Sequence, residues 1–400
     1  MKTVTIIGIG MGRETVTAQG ADAIGAADVL LGAPRMTETF ADLQKPCIPE
    51  YAAERVAAAV RESGAERFAV LVSGDVGFYS AAESLLRALD FCEVALVPGI
   101  SSLGYFFAKL RLPWQDAAAI SCHGREQNLV DTVRRSRRTF ALTGGNIPAL
   151  AQALVKAGYG ALTATVGENL GGAQERIFSR PVCELAQTSA ASLAVLLIEN
   201  PQADASVPCG IADERFVRGD VPMTKAEVRA AIAGKLRIAP DFVCADVGAG
   251  TGSVTAEMAL AAWRGHVYAI DRVPEAVELI EQNARRFHLG NVTPILGRAP
   301  EALETLPPLD AVFIGGSGGG IGAIVSAVLQ KNPNARIVAS AIALESAAAA
   351  VRAFSEAGLE PEVVQIAASR SRTVAGLHMM MALNPIFLIS GGGKTCPTES

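Results

Sequence analysis

The stretch Cys244–Gly252, CADVGAGTG, holds the residues best spaced to do chemistry. An apolar lead-in (Phe242, Val243) runs to an acidic residue, Asp246, and then to Gly248, Gly250 and Gly252, with Ala249 and Thr251 between them. Without Cβ atoms the chain can turn sharply from strand to helix and approach a ligand closely. A helix opening near Ser253 would aim unpaired N–H groups into that turn. A dinucleotide site calls for G-x-G-x-x-G with a pyrophosphate on the helix terminus. Here the spacing is G-x-G-x-G, and a carboxylate at Asp246 would repel a pyrophosphate. It suits an ammonium group instead. S-adenosylmethionine (SAM) has that ammonium, a sulfonium and no phosphate. Asp271, closing the HVYAID segment, would accept hydrogen bonds from ribose hydroxyls, a device that SAM and NAD sites share.

Those residues need strands and helices to hold them. Short apolar runs alternate with Ala-rich amphipathic stretches along the whole chain, the pattern of βαβ units in a parallel or mixed sheet. In the first half the pattern predicts strands at 4–9, 29–31, 68–73, 93–97, 118–121, 139–142, 161–166 and 193–198, with helices such as 52–63 and 81–89. In the second it predicts strands at 242–245, 266–270, 292–296, 311–314, 336–340, 362–366 and 377–383. Between them, PQADASVPCG and DERFVRGDVP interrupt the periodicity with proline, glycine and charge, which reads as a linker over 205–222. The expected organisation is a domain over 1–204, a second over 223–392 and a disordered tail over 393–400.

Composition sets the limits. A chain of 400 residues exceeds the size at which one hydrophobic core keeps growing. Half the residues are apolar and only 19% are charged, which excludes a disordered chain. The net charge of −5 and 5% aromatic content argue against nucleic-acid binding and against attraction to an anionic membrane. The basic cluster Arg134–Arg138 reads as a solvated helix end. Seven scattered cysteines, odd in number and never spaced C-x-x-C, fit neither a zinc site nor a disulfide framework. With no signal peptide and no membrane span in the sequence, the expectation is a cytoplasmic protein.

Six segments of the second half, in order, resemble the class I SAM methyltransferase domain of cobalamin biosynthesis: MTKAEVRA, DVGAGTG, YAIDR, GRAPEAL, VFIGGSGG and NPIFLISG. The first half resembles the tetrapyrrole methylases through TIIGIGMG, VLVSGDVGFYS, VPGISSLGYFFAKL, HGR, LTGG and GENLGGAQERI. Together they resemble the precorrin-6Y C5,15-methyltransferase (decarboxylating) family, over nearly the whole chain. The resemblance implies a Rossmann-like class I domain behind a two-lobed α/β tetrapyrrole methylase domain, one SAM site in each and no metal. It implies methylation of precorrin-6B at carbon 5 by the first domain, and at carbon 15 with loss of the ring-C acetate carboxyl by the second. A cobalt-containing precorrin is the alternative substrate. Relatives of both domains commonly form homo-oligomers.

Site residues follow from the same resemblance. In the second domain Thr224 closes over SAM, Gly248–Gly252 hold its methionine part, Asp271 takes the ribose and Ala299 lies beside the adenine. Arg298 stands where related domains often carry an acid. Thr224 and Glu227 also fit a helix capping box. The glycine run that includes Gly316, Ser317 and Gly318 would offer backbone amides to a substrate carboxylate. Arg370 and Arg372, read as flanking a late loop, have forks that match carboxylates bidentately. His378 is the one imidazole expected near this pocket, with a satisfied core histidine as the bland alternative. In the first domain Gly8 and Gly10, then Gly74, Asp75 and Gly77, Ser101 and Ser102, and Leu142 would surround SAM. His123 and Arg125 would face substrate carboxylates. Met11 and Val76 stand where tetrapyrrole methylases usually carry proline. Methyl transfer to an electron-rich ring carbon needs alignment and water exclusion more than a strong base, and no triad or paired-carboxylate site appears.

Overall fold

The computed structural model describes residues 1–122 and 128–393, so His123 and Arg125 lie outside the described residues, as does the chain beyond Gly393. The chain divides into two compact units. One comprises Met1–Glu126, Ser136–Ala151 and Leu162–Pro201; the other comprises Gln127–Arg135, Gln152–Ala161 and Gln202–Ser400. The second unit thus takes in two short stretches, 127–135 and 152–161, that the sequence assigns to the first half.

The first unit contains two five-stranded sheets. In the first sheet all strands run parallel, and Thr3–Gly8 sits between Arg67–Val72 and Glu93–Val97. Its inner strands are continuous apolar runs such as FAVLV because helices cover both faces of such a sheet. The second sheet is mixed: Ala117–Ser121 runs parallel to Arg138–Leu142, and Ala194–Glu199, Thr163–Glu168 and Arg176–Pro181 follow in antiparallel pairs. Two strands escape the sequence reading. Cys47–Ile48 is too short to show a period, and Arg176–Pro181 is a polar edge strand with three exposed positions at its end. The basic cluster is not a solvated helix end either. Arg134 is buried against Asp131, and Arg138 pairs with Asp116 at 3.1 Å.

The second unit is built on a seven-stranded sheet in the order Val292–Leu296, His266–Asp271, Val243–Val247, Ala311–Ile314, Arg336–Ala341, Ile386–Gly392, Glu362–Ile366. The first five are parallel and Ile386–Gly392 is antiparallel to both neighbours. Successive residues serve opposite faces. Cys244 and Phe313 join one core with helices Ala226–Leu236 and Ser253–Ala261, whereas Ala245, Val312 and Ile314 join another with Ile321–Lys331 and Leu344–Glu356. Strand order reverses at Val243–Val247, whose neighbours on the two sides begin at His266 and Ala311. A doubly wound sheet binds ligands at such a switch, outside the carboxyl ends of its strands.

Three expectations fail here for physical reasons. The segment read as a linker is packed: Ile211 and Phe216 are core residues and Asp213 is buried. Its apolar positions are too sparse to show a period, and polar bolts do the rest. The Arg370–Arg372 region is a strand, Ser369–Val374, paired with Leu377–Ala382 in an exposed hairpin. His378 lies on that hairpin opposite Thr373 and is exposed, so it is not a core histidine.

At the centre of the second unit Arg229 is fully buried. Its Nε donates to Glu257 at 2.8 Å and its Nη1 to Asp213 at 2.9 Å, while further donations reach the carbonyls of Thr224 and Ile211. The guanidinium lies 4.7 Å from the Phe216 ring centroid. Glu257 also accepts from the backbone N–H groups of Gly210 and Ile211 at 2.9 and 3.0 Å. Arg229 is the one cation that reaches both carboxylates. Replacing Arg229 by methionine strands the buried Glu257 carboxylate and leaves Asp213 to its partly exposed partners Arg370 and Arg218, and is expected to destabilise the second unit by about 3–5 kcal/mol, read from urea unfolding of the full chain. Lysine, with no fork, should recover only part of the loss.

Candidate functional site

The carboxyl edge of the seven-stranded sheet brings the predicted cradle together. Gly248, Gly250 and Gly252 all have positive φ, at 75°, 56° and 74°. At two of them glycine is also required by space. A Cβ on Gly248 would stand 2.7 Å from the Gly316 nitrogen, and one on Gly250 would stand 2.8 Å from the Pro222 carbonyl oxygen. The loop is therefore gripped from both sides, by the 315–320 loop and by the segment that precedes Thr224.

Asp271 closes the strand beside it. One carboxylate oxygen accepts from the Gly250 N–H at 2.8 Å and the other from the Val273 N–H at 3.0 Å. The residue is only partly buried, and a carboxylate with two bonds retains acceptor capacity. Gly297 donates to the Asp271 carbonyl at 2.9 Å, which holds Ala299 on the neighbouring loop. Arg298 is exposed.

Asp246 differs from its expected role. It is fully buried beneath the loop, with Oδ2 accepting from the Thr255 hydroxyl at 2.6 Å, and so presents no exposed carboxylate to the cradle. Burial pushes its carboxyl up to about 7; the Thr255 bonds oppose this and the nearby Asp271 charge adds to it. Its Oδ1 and the Thr251 hydroxyl are buried without a partner among the described residues. Orphaned buried polar atoms are rare. Two of them in one glycine loop, with an acceptor carboxylate at its flank, fit a polar, cation-bearing ligand such as SAM.

A strap over 209–224 completes the site, and its fastenings leave no pattern in the sequence. Asn283, buried in helix Pro274–Arg286, donates to the carbonyls of Val217 at 3.0 Å and Thr251 at 2.8 Å, and accepts from the Val217 N–H at 2.8 Å. Glu275 accepts from the Asp220 N–H at 2.9 Å. Thr224, at the end of the strap, is not a helix cap: Ala226–Leu236 starts after Lys225 with no side-chain bond. Glu227 is occupied by Arg370, which also reaches Asp213 at 2.9 Å. Arg370 is thus spent on internal ion pairs instead of a substrate carboxylate, and these pairs raise its already high pKa further. Arg372 remains exposed. Gly316 and Gly318 are exposed and Ser317 is half-buried, in a loop that opens helix Ile321–Lys331.

In the first unit a cavity of about 660 Å³ opens at the carboxyl edge of the parallel sheet, and Gly74, Ser102 and Leu142 line it. Gly8 and Gly10 are buried beneath it instead. A Cβ on Gly8 would meet the Gly74 oxygen at 2.7 Å, and Gly10 and Gly74 exchange backbone hydrogen bonds of 3.1 and 2.9 Å. Asp75 acts as loop glue, accepting from the N–H groups of Gly77 at 2.8 Å and Gly99 at 3.0 Å. Ser101 caps its helix through the Gly104 N–H at 3.0 Å. Of the residues expected around a ligand here, three line the cavity; Gly8, Gly10, Asp75 and Ser101 shape the loops and helix around it, and Gly77 is exposed.

Residues 3–186 match the tetrapyrrole (corrin/porphyrin) methylases, and residues 215–390 match the precorrin methyltransferase domain. A Sinorhizobium protein described as precorrin-6Y C(5,15)-methyltransferase [decarboxylating] is 30% identical over 380 residues, covering 92% of each chain. A probable cobalt-precorrin-6B C(15)-methyltransferase (decarboxylating) from Pyrobaculum calidifontis is 44% identical over 184 residues, 45% of this chain and 94% of its own length. A solved precorrin-6y C5,15-methyltransferase from Geobacter metallireducens GS-15 is 34% identical, covering 46% of this chain and 96% of that one, at a TM-score of 0.44.

Two outcomes test the second-unit geometry. Gly250→Ala forces a Cβ against the Pro222 carbonyl at positive φ, and should weaken SAM binding at this site by about tenfold or more in calorimetry. Asp246 keeps its proton in the folded protein at pH values where the unfolded chain has lost it. Stability in the absence of ligand therefore falls as pH rises from about 4 to about 7, by no more than about 4 kcal/mol, and levels off above. Asp246→Asn should lose that part of the slope in urea titrations across pH 4–8.

Proposed function

Because the chain belongs to the precorrin-6Y C5,15-methyltransferase (decarboxylating) family, we propose that it methylates precorrin-6B at carbons 5 and 15. In the same reading it removes the ring-C acetate carboxyl as carbon dioxide, giving precorrin-8X for cobalamin synthesis. The observation that carries this reading is the match to the Sinorhizobium relative along 92% of both chains, spanning both units. Carbon 5 methylation belongs to the tetrapyrrole methylase half, and carbon 15 methylation with decarboxylation to the class I half. The enzyme works in the cytoplasm as a homo-oligomer; among the described residues no helix is long and apolar enough to cross a membrane.

Each half has residues suited to its own SAM. In the second, Gly248–Gly252 and Asp271 would hold it, with Thr224 on the strap and Ala299 on the adjoining loop. In the first, Gly74, Ser102 and Leu142 would do so. SAM, when bound, supplies an electrophilic methyl group on a sulfonium. The protein's share is to align the accepting carbon and exclude water, which is worth a large part of the barrier without any strong base. The strap held by Asn283 and Arg229 supports that role in the second unit by fixing the backbone on one side of the cradle. The amides of Ser317 and Gly318 are suited to a substrate carboxylate; that of Gly316, expected to join them, donates instead to the Val247 carbonyl at 3.3 Å.

The same reactions on a cobalt-precorrin form a second reading, favoured by the 44% identity of the Pyrobaculum relative, whose name specifies the cobalt form. Anaerobic incubation with SAM and either substrate, followed by mass spectrometry, separates the two. Gain of two methyl groups and loss of carbon dioxide on precorrin-6B is the expected result. Turnover of the cobalt form alone supports the second reading, and turnover of neither with SAM still bound overturns both.

A further inference from the structure

The first-unit cavity is almost free of charge. Its described walls present serine and threonine hydroxyls, the Asn169 amide, and apolar surface from Met11, Phe78, Tyr79 and Leu170. Among the described lining residues one side chain alone is ionised, that of Arg35. Its guanidinium makes no ion pair or hydrogen bond among the described residues, and the residue is exposed. The other arginines near the parallel sheet are engaged: Arg67 pairs with Asp28 at 2.6 Å, and Arg13 with Asp42.

Arg35 is held firmly in spite of that freedom. The buried strand Val29–Leu31 leads straight into helix Pro34–Glu38, with proline at its first position to fix the entry. Met36 packs against the core, and Thr37 is buried with its hydroxyl donating to the Pro34 carbonyl at 3.0 Å. With neighbours on its C-terminal side anchored in this way, the backbone of Arg35 is fixed and only its side chain is unspent. An unpaired guanidinium carried on a fixed backbone, at an otherwise neutral cavity, suits recognition of a single carboxylate: a planar fork, two parallel N–H donors and a net charge.

We propose that Arg35 is the specificity-determining cation of the carbon 5 site, binding one acetate or propionate carboxylate of the macrocycle and so setting which ring edge faces the methyl donor. This rests on the function proposed above. The neutral walls receive the flat apolar ring, and the orientation comes from Arg35. The role is in binding and alignment, since the residue takes no part in bond making.

The test uses the full chain and counts the two methylations separately. Arg35→Ala should raise KM for carbon 5 methylation by about ten- to a hundredfold with kcat within about threefold. Arg35→Lys, keeping the charge without the fork, should fall between. Carbon 15 methylation and decarboxylation belong to the other unit and should be unchanged, and an unchanged SAM affinity at the first-unit site reports that this unit is correctly folded. A methyl-esterified substrate should remove the difference between wild type and Arg35→Ala. An unchanged KM, a fall in kcat alone, a parallel loss of SAM affinity, or a difference that survives esterification overturns the assignment of Arg35. Absence of carbon 5 methylation in the wild type fails the proposed function instead.

Discussion

Backbone packs directly on backbone at the carboxyl edges of both parallel sheets, and the candidate sites depend on it. In the second unit a Cβ on Gly248 would lie 2.7 Å from the Gly316 nitrogen; in the first, one on Gly99 would lie 2.3 Å from the Gly74 oxygen and 2.4 Å from that of Gly8. Contacts this close exist only where one partner has no side chain. They lock each loop to its neighbour, so a ligand meets a set of amides whose spacing is fixed before it arrives. Pre-set donors cost nothing to reorganise when charge shifts in a transition state, which is where binding sites gain their catalytic value.

The second unit adds a polar knot to this apolar frame. Arg229 joins Asp213, Glu257 and the carbonyls of Thr224 and Ile211, and Arg370 extends the chain of charges to Glu227. Burying such charges is expensive, and an apolar cluster of equal volume often packs as stably. What the knot supplies is direction. Each hydrogen bond fixes one segment: the strap, the helix below the cradle and the base of the exposed hairpin. Asn283 repeats the principle on a smaller scale, linking the strap to Thr251 with three bonds.

How much of this was legible in the residues follows from what kind of signal each part leaves. Ala311–Ile314 is bounded as its apolar run suggests, because burial on both faces writes a continuous signature; Glu93–Val97 is also bounded as read, although it is an edge strand with three exposed positions. The glycine cradle was legible because a sharp turn demands specific residues at fixed spacing, whereas the placement of Gly74, Ser102 and Leu142 at a cavity followed from the resemblance to tetrapyrrole methylases. The strap was not. Ile211 and Phe216 are two apolar positions among prolines and charges, and bolts such as Asn283 lie 66 positions away from the residue they hold. The hairpin over 369–382 was half read, since Ser369–Val374 is polar and exposed along nearly its whole length. Arg370 looked like a free cation for the same reason. Sequence shows a guanidinium's chemistry but not whether Glu227 and Asp213 have already claimed it. Arg35, in contrast, sits in an unremarkable APRM segment whose importance appears only once the cavity is formed.

The two sites also differ in electrostatic character, and that difference bears on how one polyanionic macrocycle would be handled twice. The second-unit cradle carries the Asp271 carboxylate at its flank, whereas Asp246 beneath it is fully buried with its carboxyl pushed up to about 7 and adds little charge. That arrangement favours a cationic cofactor and repels substrate carboxylates from the loop itself, so the ring must present its apolar edge there and be steadied from further out. The Gly316 amide is spent on the Val247 carbonyl at 3.3 Å, which leaves the amides of Ser317 and Gly318 on that loop for the task. The first-unit cavity has no such acidic centre among its described lining residues, and a single arginine is enough to break its neutrality. On the proposed function, regiochemistry is then set by opposite means. At carbon 15 repulsion excludes the wrong edge, and at carbon 5 one attractive contact selects the right one, consistent with specificity arising from unfavourable as well as favourable contacts.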